Sequence, residues 1–286
     1  MSIRHRIFIV GVPRSGTTLL QSLLAAHSEL TSFTESHFFS RYFSLTPVTG
    51  WPVLTKDPSA RVHEFLTENS EGPVTAWAGD LGRLLLPLHT RAVTRRLLSV
   101  MDELAQRRGK SGWIEKTPKH LRYMPLIESV ADAQPHTIQP HVIHLVRDGL
   151  ETVASLYKAS QSWERPYDLE ECVRRWNDDV QYSMKRLRKA PENNCCVFYE
   201  DLVEAPEKVL QGLCGRLGLA WEPEMLVDYR RASEELIAKG ETWKKDTGRE
   251  IRRSATASEV LTPEERERVR ALLKVEFYER LRHFDP

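Results

Sequence analysis

The residues best suited to chemistry form a polar run, Pro13-Arg14-Ser15-Gly16-Thr17-Thr18, in the N-terminal stretch Ile7 to Glu35. Before it, an apolar segment, Ile7 to Val10, reaches Gly11; after it, Leu19, Leu20, Leu23 and Leu24 recur at helical spacing. That order predicts a strand, an anion-binding loop and a helix. Unpaired N–H groups at a helix start, with the positive end of the helix dipole behind them, suit a phosphate or sulfate group. Gly16 lets the backbone approach the anion, Arg14 brings a fixed positive charge, and Ser15, Thr17 and Thr18 add hydroxyls. A second run, His141 to Tyr157, repeats the logic: an apolar strand ends at Val146, Arg147 stands at its carboxyl edge, and Asp148 can cap the helix that follows. Ser155 lies eight residues after Arg147, so the pair can converge on a second phosphate.

Two further strand ends carry reactive groups. Leu30 to Phe33 reads as a short strand running out at Thr34-Glu35-Ser36-His37, and Trp113-Ile114 leads to Glu115, Lys116, Thr117 and a turn at Pro118. In open α/β sheets ligands bind outside the carboxyl ends of the strands, so these side chains point toward a site.

The scaffold needed is a single α/β domain over residues 1–286, three-layered, with a mostly parallel central sheet flanked by helices. Amphipathic helices are predicted over Thr90 to Gln106, around Leu121 to Val130, and over Arg174 to Arg188. Cys195 to Tyr199 reads as another strand, followed by helices over Pro206 to Leu217 and Pro223 to Ile237. One last helix is expected from Pro263 to Leu281, opened by a capping box of Thr262 and Glu265. Between about 38 and 82 the pattern is irregular, an insertion or lid punctuated by prolines and glycines; about 239–258 is a basic segment.

Composition narrows the partners. Lys and Arg number 41 against 40 Asp and Glu, a formal charge of +1, which argues against nucleic acid. The four cysteines, Cys172, Cys195, Cys196 and Cys214, lack metal or redox spacing and read as reduced thiols, so no metal is expected. The N-terminal apolar run is too short for a secretory leader, and no window approaches the ~18 unbroken apolar residues of a membrane span. A cytoplasmic protein is the expectation, with a homodimer left open.

Gly11 and Gly16 have the spacing of an NTP-binding loop, but Thr17 stands where that motif needs Lys. The loss argues against γ-phosphate transfer. VPRSGTTLL together with HLVRDGLETVAS instead resembles the sulfotransferases that use 3′-phosphoadenosine 5′-phosphosulfate (PAPS) and release 3′-phosphoadenosine 5′-phosphate (PAP). The resemblance implies that Arg14, Ser15, Gly16, Thr17 and Thr18 cradle the 5′-phosphosulfate, and that Arg147 and Ser155 hold the 3′-phosphate. It also puts Tyr199 near the adenine and lets one of Lys244, Lys245, Arg249 and Arg252 reach the 3′-phosphate.

The family divides by its base. The cytosolic small-molecule branch carries a His after a Lys-Thr pair, where this chain has Pro118 after Lys116-Thr117. The tyrosylprotein branch and bacterial relatives carry a Glu after the second strand, which aligns with Glu35. The resemblance therefore implies Glu35 as general base, with Arg14 and Lys116 stabilising charge on the sulfuryl and leaving groups. His37 and His120 are competing bases that read as solvated loop residues. His37 stands where the tyrosylprotein branch has an Arg, which ranks a peptide acceptor below a small-molecule, glycosidic or lipid one. Trp51, Trp77, Tyr42, Phe38, Phe39 and Phe43 suggest an apolar lid for such an acceptor. The alternatives are a P-loop nucleotide kinase and a catalytically silent nucleotide-binding protein.

Overall fold

Ile7, Phe8, Ile9 and Val10 form the middle of β1 (His5–Gly11), the central strand of the sheet. The computed structural model describes residues 2–77, 88–131, 138–236, 251 and 256–283. After β1 the chain runs through α1 (Thr17–Ala25), β2 (Leu30–Ser32), α2 (Phe38–Tyr42), β3 (Phe43–Leu45), β4 (Pro52–Leu54) and α3 (Ser59–Glu68). Then come α4 (Thr90–Arg107), β5 (Gly112–Lys116), α5 (Met124–Ala131), β6 (His141–Val146), α6 (Gly149–Ser160) and α7 (Leu169–Lys189). The last described elements are β7 (Asn194–Phe198), α8 (Tyr199–Glu204), α9 (Pro206–Leu217), α10 (Met225–Leu236), α11 (Ala257–Val260), α12 (Pro263–Leu272) and α13 (Val275–Arg282).

β2, β5, β1, β6 and β7 lie in that order in one sheet, and every neighbouring pair is parallel. Side chains alternate across a strand, so a strand covered on both sides must be apolar throughout. Phe8 and Val10 pack with Trp113 under α4 and α5, while Ile7 and Ile9 pack with Leu20 and Leu23 of α1 and with α9. Each such buried side chain contributes about 1.5–3 kcal/mol, so the continuous run Ile7 to Val10 secures the centre of the sheet. A third cluster, with Val153, Leu156 and Trp176, joins α6 to α7.

The parallel order matters because it brings all five carboxyl strand ends to one edge. Gly11, Lys116, Arg147 and Tyr199 sit at or just beyond four of them, and Glu35 a few residues beyond the fifth. Gly11 has φ +139°, and a Cβ there would lie 2.3 Å from the Leu145 carbonyl of β6. Only glycine lets β1 leave the sheet this close to its neighbour.

Three expectations are corrected. The stretch 38–82 is not irregular where it is described: it holds α2, the antiparallel hairpin β3–β4 and α3, with Phe65 edge-on to Phe33 and Phe38. The single C-terminal helix is two, because Leu273 turns extended at the end of α12. Asn177 holds the break open, donating to the Leu272 carbonyl at 3.0 Å and accepting from the Lys274 N–H at 2.8 Å. The long charged helix starts earlier, at Leu169, where the Asp168 side chain caps it by accepting from Glu171 N. The expected capping box of Thr262 and Glu265 is present, and Asp148 caps α6 as expected. Helix α10 ends at Leu236, and the expected last residue, Ile237, lies outside the described residues.

Candidate active site

The loop between β1 and α1 is built from its own side chains. Ser15 is fully buried, and its hydroxyl donates to the Val12 carbonyl at 2.8 Å, closing the turn. Arg14 takes φ +74°, a strained conformation for a residue with a side chain, and its Nε faces Ser155 Oγ at 3.4 Å. That contact joins the two sequence motifs. Gly16 precedes α1 at φ +100°, with no side chain to cap the helix. A Cβ on it would meet the Tyr199 ring at 2.4 Å. The ring thus closes one side of the loop, and among the described residues no N-cap side chain takes the first N–H groups of α1.

Tyr199 also carries the second motif. It heads α8, is buried, and its ring lies 4.5 Å from the Arg147 guanidinium. Arg147 is buried at the end of β6 and pairs with Glu151 one turn along α6, Nη2 to Oε2 being 3.4 Å. The same Glu151 oxygen accepts the Thr256 N–H at 2.6 Å and the Ala257 N–H at 3.2 Å. Glu151 therefore ties Arg147 to the start of α11. Lys244, Lys245, Arg249 and Arg252 lie outside the described residues.

Lys116 and Glu35 meet across the edge. Lys116, almost fully buried at the end of β5, bonds Glu35 Oε1 at 2.6 Å and Thr18 Oγ1 at 3.3 Å. Thr17, the residue before Thr18, is buried at the start of α1. The adjacent Glu115 faces the other way, as alternation along a strand requires. Its buried carboxylate accepts from Ser36 Oγ at 2.7 Å and Thr117 Oγ1 at 2.6 Å, and lies 2.9 Å from His120 Nδ1. Burial alone would push Glu115 up, but the His120 ring and the hydrogen bonds from His120, Thr117 and Ser36 hold it below the usual carboxylate range. His120 is thus a fully buried partner of Glu115 and not the solvated loop residue expected. Phe39 packs edge-on against its ring, so this aromatic of the insertion lies in the core cluster.

His37 takes φ +54° and sets its Nε2 3.6 Å from Glu35 Oε2, with its side chain 26% exposed. Burial lowers it to about 4, with Arg41 and His120 adding to the effect and Glu35 opposing it. Buried His144 is held at about 4 as well, by burial first. Between pH 4 and 6.5 the unfolded chain takes up protons at these rings that the folded chain refuses. Stability is therefore expected to fall as pH drops from about 6.5 toward 4. Ring-proton titration by NMR should put the His37 midpoint near 4; a midpoint near 6.5 would contradict the burial argument.

All four cysteines are unpaired, two buried and two half-buried, and burial pushes the Cys172 thiol up to about 12 and Cys195 to about 11. No helix of the described residues is long and apolar enough to cross a membrane.

The structure therefore gathers Arg14 with Ser155, Lys116 with Glu35 and Thr18, and Arg147 with Tyr199 and Gly16 along one sheet edge. Sequence reading missed Arg61 of α3, which bonds the backbone carbonyls of Glu35 and Ser36, and the buried role of Glu115. The spacing of Arg61, Glu64 and Glu68 marks one helix face, but no local signal names carbonyls some 25 residues upstream as partners.

Known proteins bear on this geometry. Protein-tyrosine sulfotransferase A of Caenorhabditis elegans is 26% identical over 227 residues, covering 77% of this chain and 51% of that protein. The chain thus spans about half the length of that relative, as it does of a chicken protein-tyrosine sulfotransferase 2, at 55%. A sulfotransferase domain from the curacin biosynthetic pathway superposes with a TM-score of 0.56 at 22% identity, over 95% of this chain and 98% of that one. A mouse sulfotransferase complexed with PAP gives 0.54 at 13% identity, over 99% and 88%. These two likenesses show the fold. The model of the Sulfotransferase family matches residues 6–223, from β1 through the loop before α1 to beyond Tyr199, and the chain belongs to that family.

Proposed function

We propose that this chain transfers a sulfuryl group from PAPS to an acceptor hydroxyl or amine, with Glu35 as general base. The observation that carries the reading is the Lys116–Glu35 pair at 2.6 Å, set beside Thr18 at the mouth of an anion loop. It combines a carboxylate able to take a proton with a cation able to meet the charge that sulfuryl transfer develops.

The donor fits the residues present. Gly16 lets the Tyr199 ring close against the loop, where a Cβ would stand 2.4 Å from it, and Arg14 with Thr17 and Thr18 supplies donors for a 5′-phosphosulfate. Arg147, held on the face of Tyr199, supplies a fork of donors for a 3′-phosphate, with Ser155 on the same helix as Glu151. Ser15 contributes by shaping the loop through its bond to Val12. PAPS brings an activated sulfuryl group on a good leaving group; the chain's residues orient it and withdraw the acceptor's proton. Lys116 bridges the two tasks, since it touches both Glu35 and Thr18.

The acceptor is open to chemistry at Glu35 and His37. The relatives named for protein tyrosine weaken the ranking of peptides below small molecules, so a tyrosyl peptide belongs in the acceptor panel beside phenols, glycosides and lipid alcohols. Calorimetric titration is expected to show PAP binding without Mg²⁺ and in preference to ATP. Tighter, Mg²⁺-dependent ATP binding would favour a kinase instead. PAP release with none of the acceptors, despite PAP binding, would leave a silent nucleotide-binding protein.

A further inference from the structure

We infer that Arg61, on α3 of the insertion, is the positioning residue for Glu35, and that the insertion serves to hold the catalytic carboxylate in place. The inference rests on the reading of Glu35 as the base. Residues 34–36 follow β2 without belonging to the sheet, so the ladder that aligns the other strand ends does not align them. Other bonds must do so.

Those bonds come from α3 and the residue that ends it. Arg61 is 3% exposed; its Nη2 donates to the Glu35 carbonyl at 2.8 Å and its Nε to the Ser36 carbonyl at 2.8 Å. Two successive carbonyls on one rigid planar fork fix the peptide between them in orientation as well as position. Glu68 accepts from both terminal nitrogens of the guanidinium, at 2.9 and 3.0 Å, and Glu64 lies 2.9 Å from Nη1. The contacts Arg61 makes with residues 35 and 36 run to their backbone carbonyls, so its effect is one of position.

The same helix end holds Thr34. Asn69 Oδ1 accepts the Thr34 N–H at 3.1 Å, Asn69 Nδ2 donates to Thr34 Oγ1 at 3.1 Å, and Thr34 Oγ1 donates to Glu68 at 3.2 Å. On the opposite side Ser36 Oγ is bonded to Glu115 at 2.7 Å. Glu35 thus projects toward Lys116 from a short segment clamped between the insertion and β5. A displacement of about 1 Å in a reacting group costs on the order of 10²-fold in rate, which is why such a segment needs a clamp.

The test is a double-mutant cycle on turnover, with PAP affinity and amide exchange measured alongside. Arg61→Lys keeps the buried charge for Glu64 and Glu68 but cannot reach both carbonyls and the carboxylates at once. It is expected to lower kcat by about 10- to 100-fold with KM for donor and PAP affinity unchanged, and to raise amide exchange at 34–37. Placed in a Glu35→Gln background, the same change should cost no further turnover, because a group acting through Glu35 has nothing left to position. Glu68→Gln, a milder change, should shift kcat in the same direction should Arg61→Lys fail to fold. Unchanged exchange at 34–37 with wild-type kcat would overturn the clamp. Losses that multiply in the Glu35→Gln background would overturn action through Glu35. Raised exchange in Arg61→Lys beside near-normal turnover of Glu35→Gln would instead remove Glu35 as the base and, with it, the catalytic purpose of the clamp.

Discussion

Glu35→Gln is expected to lower turnover by about 10²- to 10⁴-fold, the usual worth of a general base, while PAP affinity holds. The substitution keeps the shape of the side chain and an oxygen to accept from Lys116, which sits 2.6 Å away. It removes the negative charge and the capacity to take the acceptor's proton. Lys116 keeps its contact with Thr18 Oγ1 at 3.3 Å, so the cation beside the loop stays in place when the carboxylate is lost. A fall in kcat with retained PAP binding therefore separates loss of the base from loss of the site. Steady-state kinetics with any acceptor found in the panel, paired with calorimetry, makes the measurement. Turnover within a few-fold of the parent chain would take Glu35 out of the mechanism and return attention to His37, the other group at that position.

Arg147→Ala is expected to weaken PAP by about 10- to 100-fold and to reduce discrimination between PAP and adenosine 5′-phosphate by the same factor. A hydrogen bond to a charged group contributes about 1.5–3 kcal/mol, and 1.4 kcal/mol is tenfold. The geometry sharpens the expectation. The guanidinium is buried and braced by the Tyr199 ring at 4.5 Å and by Glu151 at 3.4 Å, so its fork is held in one orientation before any ligand arrives. Arg147→Lys restores the charge without the fork and should recover only part of the loss. Titrations with the two nucleotides read the outcome directly. An equal loss for both would show that Arg147 supports the fold of the site and does not read the 3′-phosphate.

Much of the arrangement was legible because its elements are local. Gly16 before a helix start, Asp148 as a cap and the eight-residue interval from Arg147 to Ser155 are features of one strand, one turn and one helix. The apolar run Ile7 to Val10 before a polar loop likewise pointed to a strand, and the structure buries both of its faces. The C-terminal helix was misread for the opposite reason. Nothing within Pro263 to Leu281 forbids a continuous helix; the break at Leu273 depends on Asn177, which lies in α7.

By itself, then, the sequence determined the strand–loop–helix units and which residue types stand at their ends, because hydrogen bonding and side-chain periodicity act over a few residues. Tertiary structure decided the pairings. Lys116 could have met its neighbour Glu115, yet the pleat sends the two to opposite faces, so Lys116 finds Glu35 and Glu115 finds His120. The role of Tyr199 against Gly16 and Arg147 exists only because β7 and β1 end at one edge of the sheet. The hold of Arg61 on Glu35 likewise exists only because Phe65 anchors α3 on Phe33 and Phe38. Packing sets such long-range contacts, and packing is a property of the whole chain.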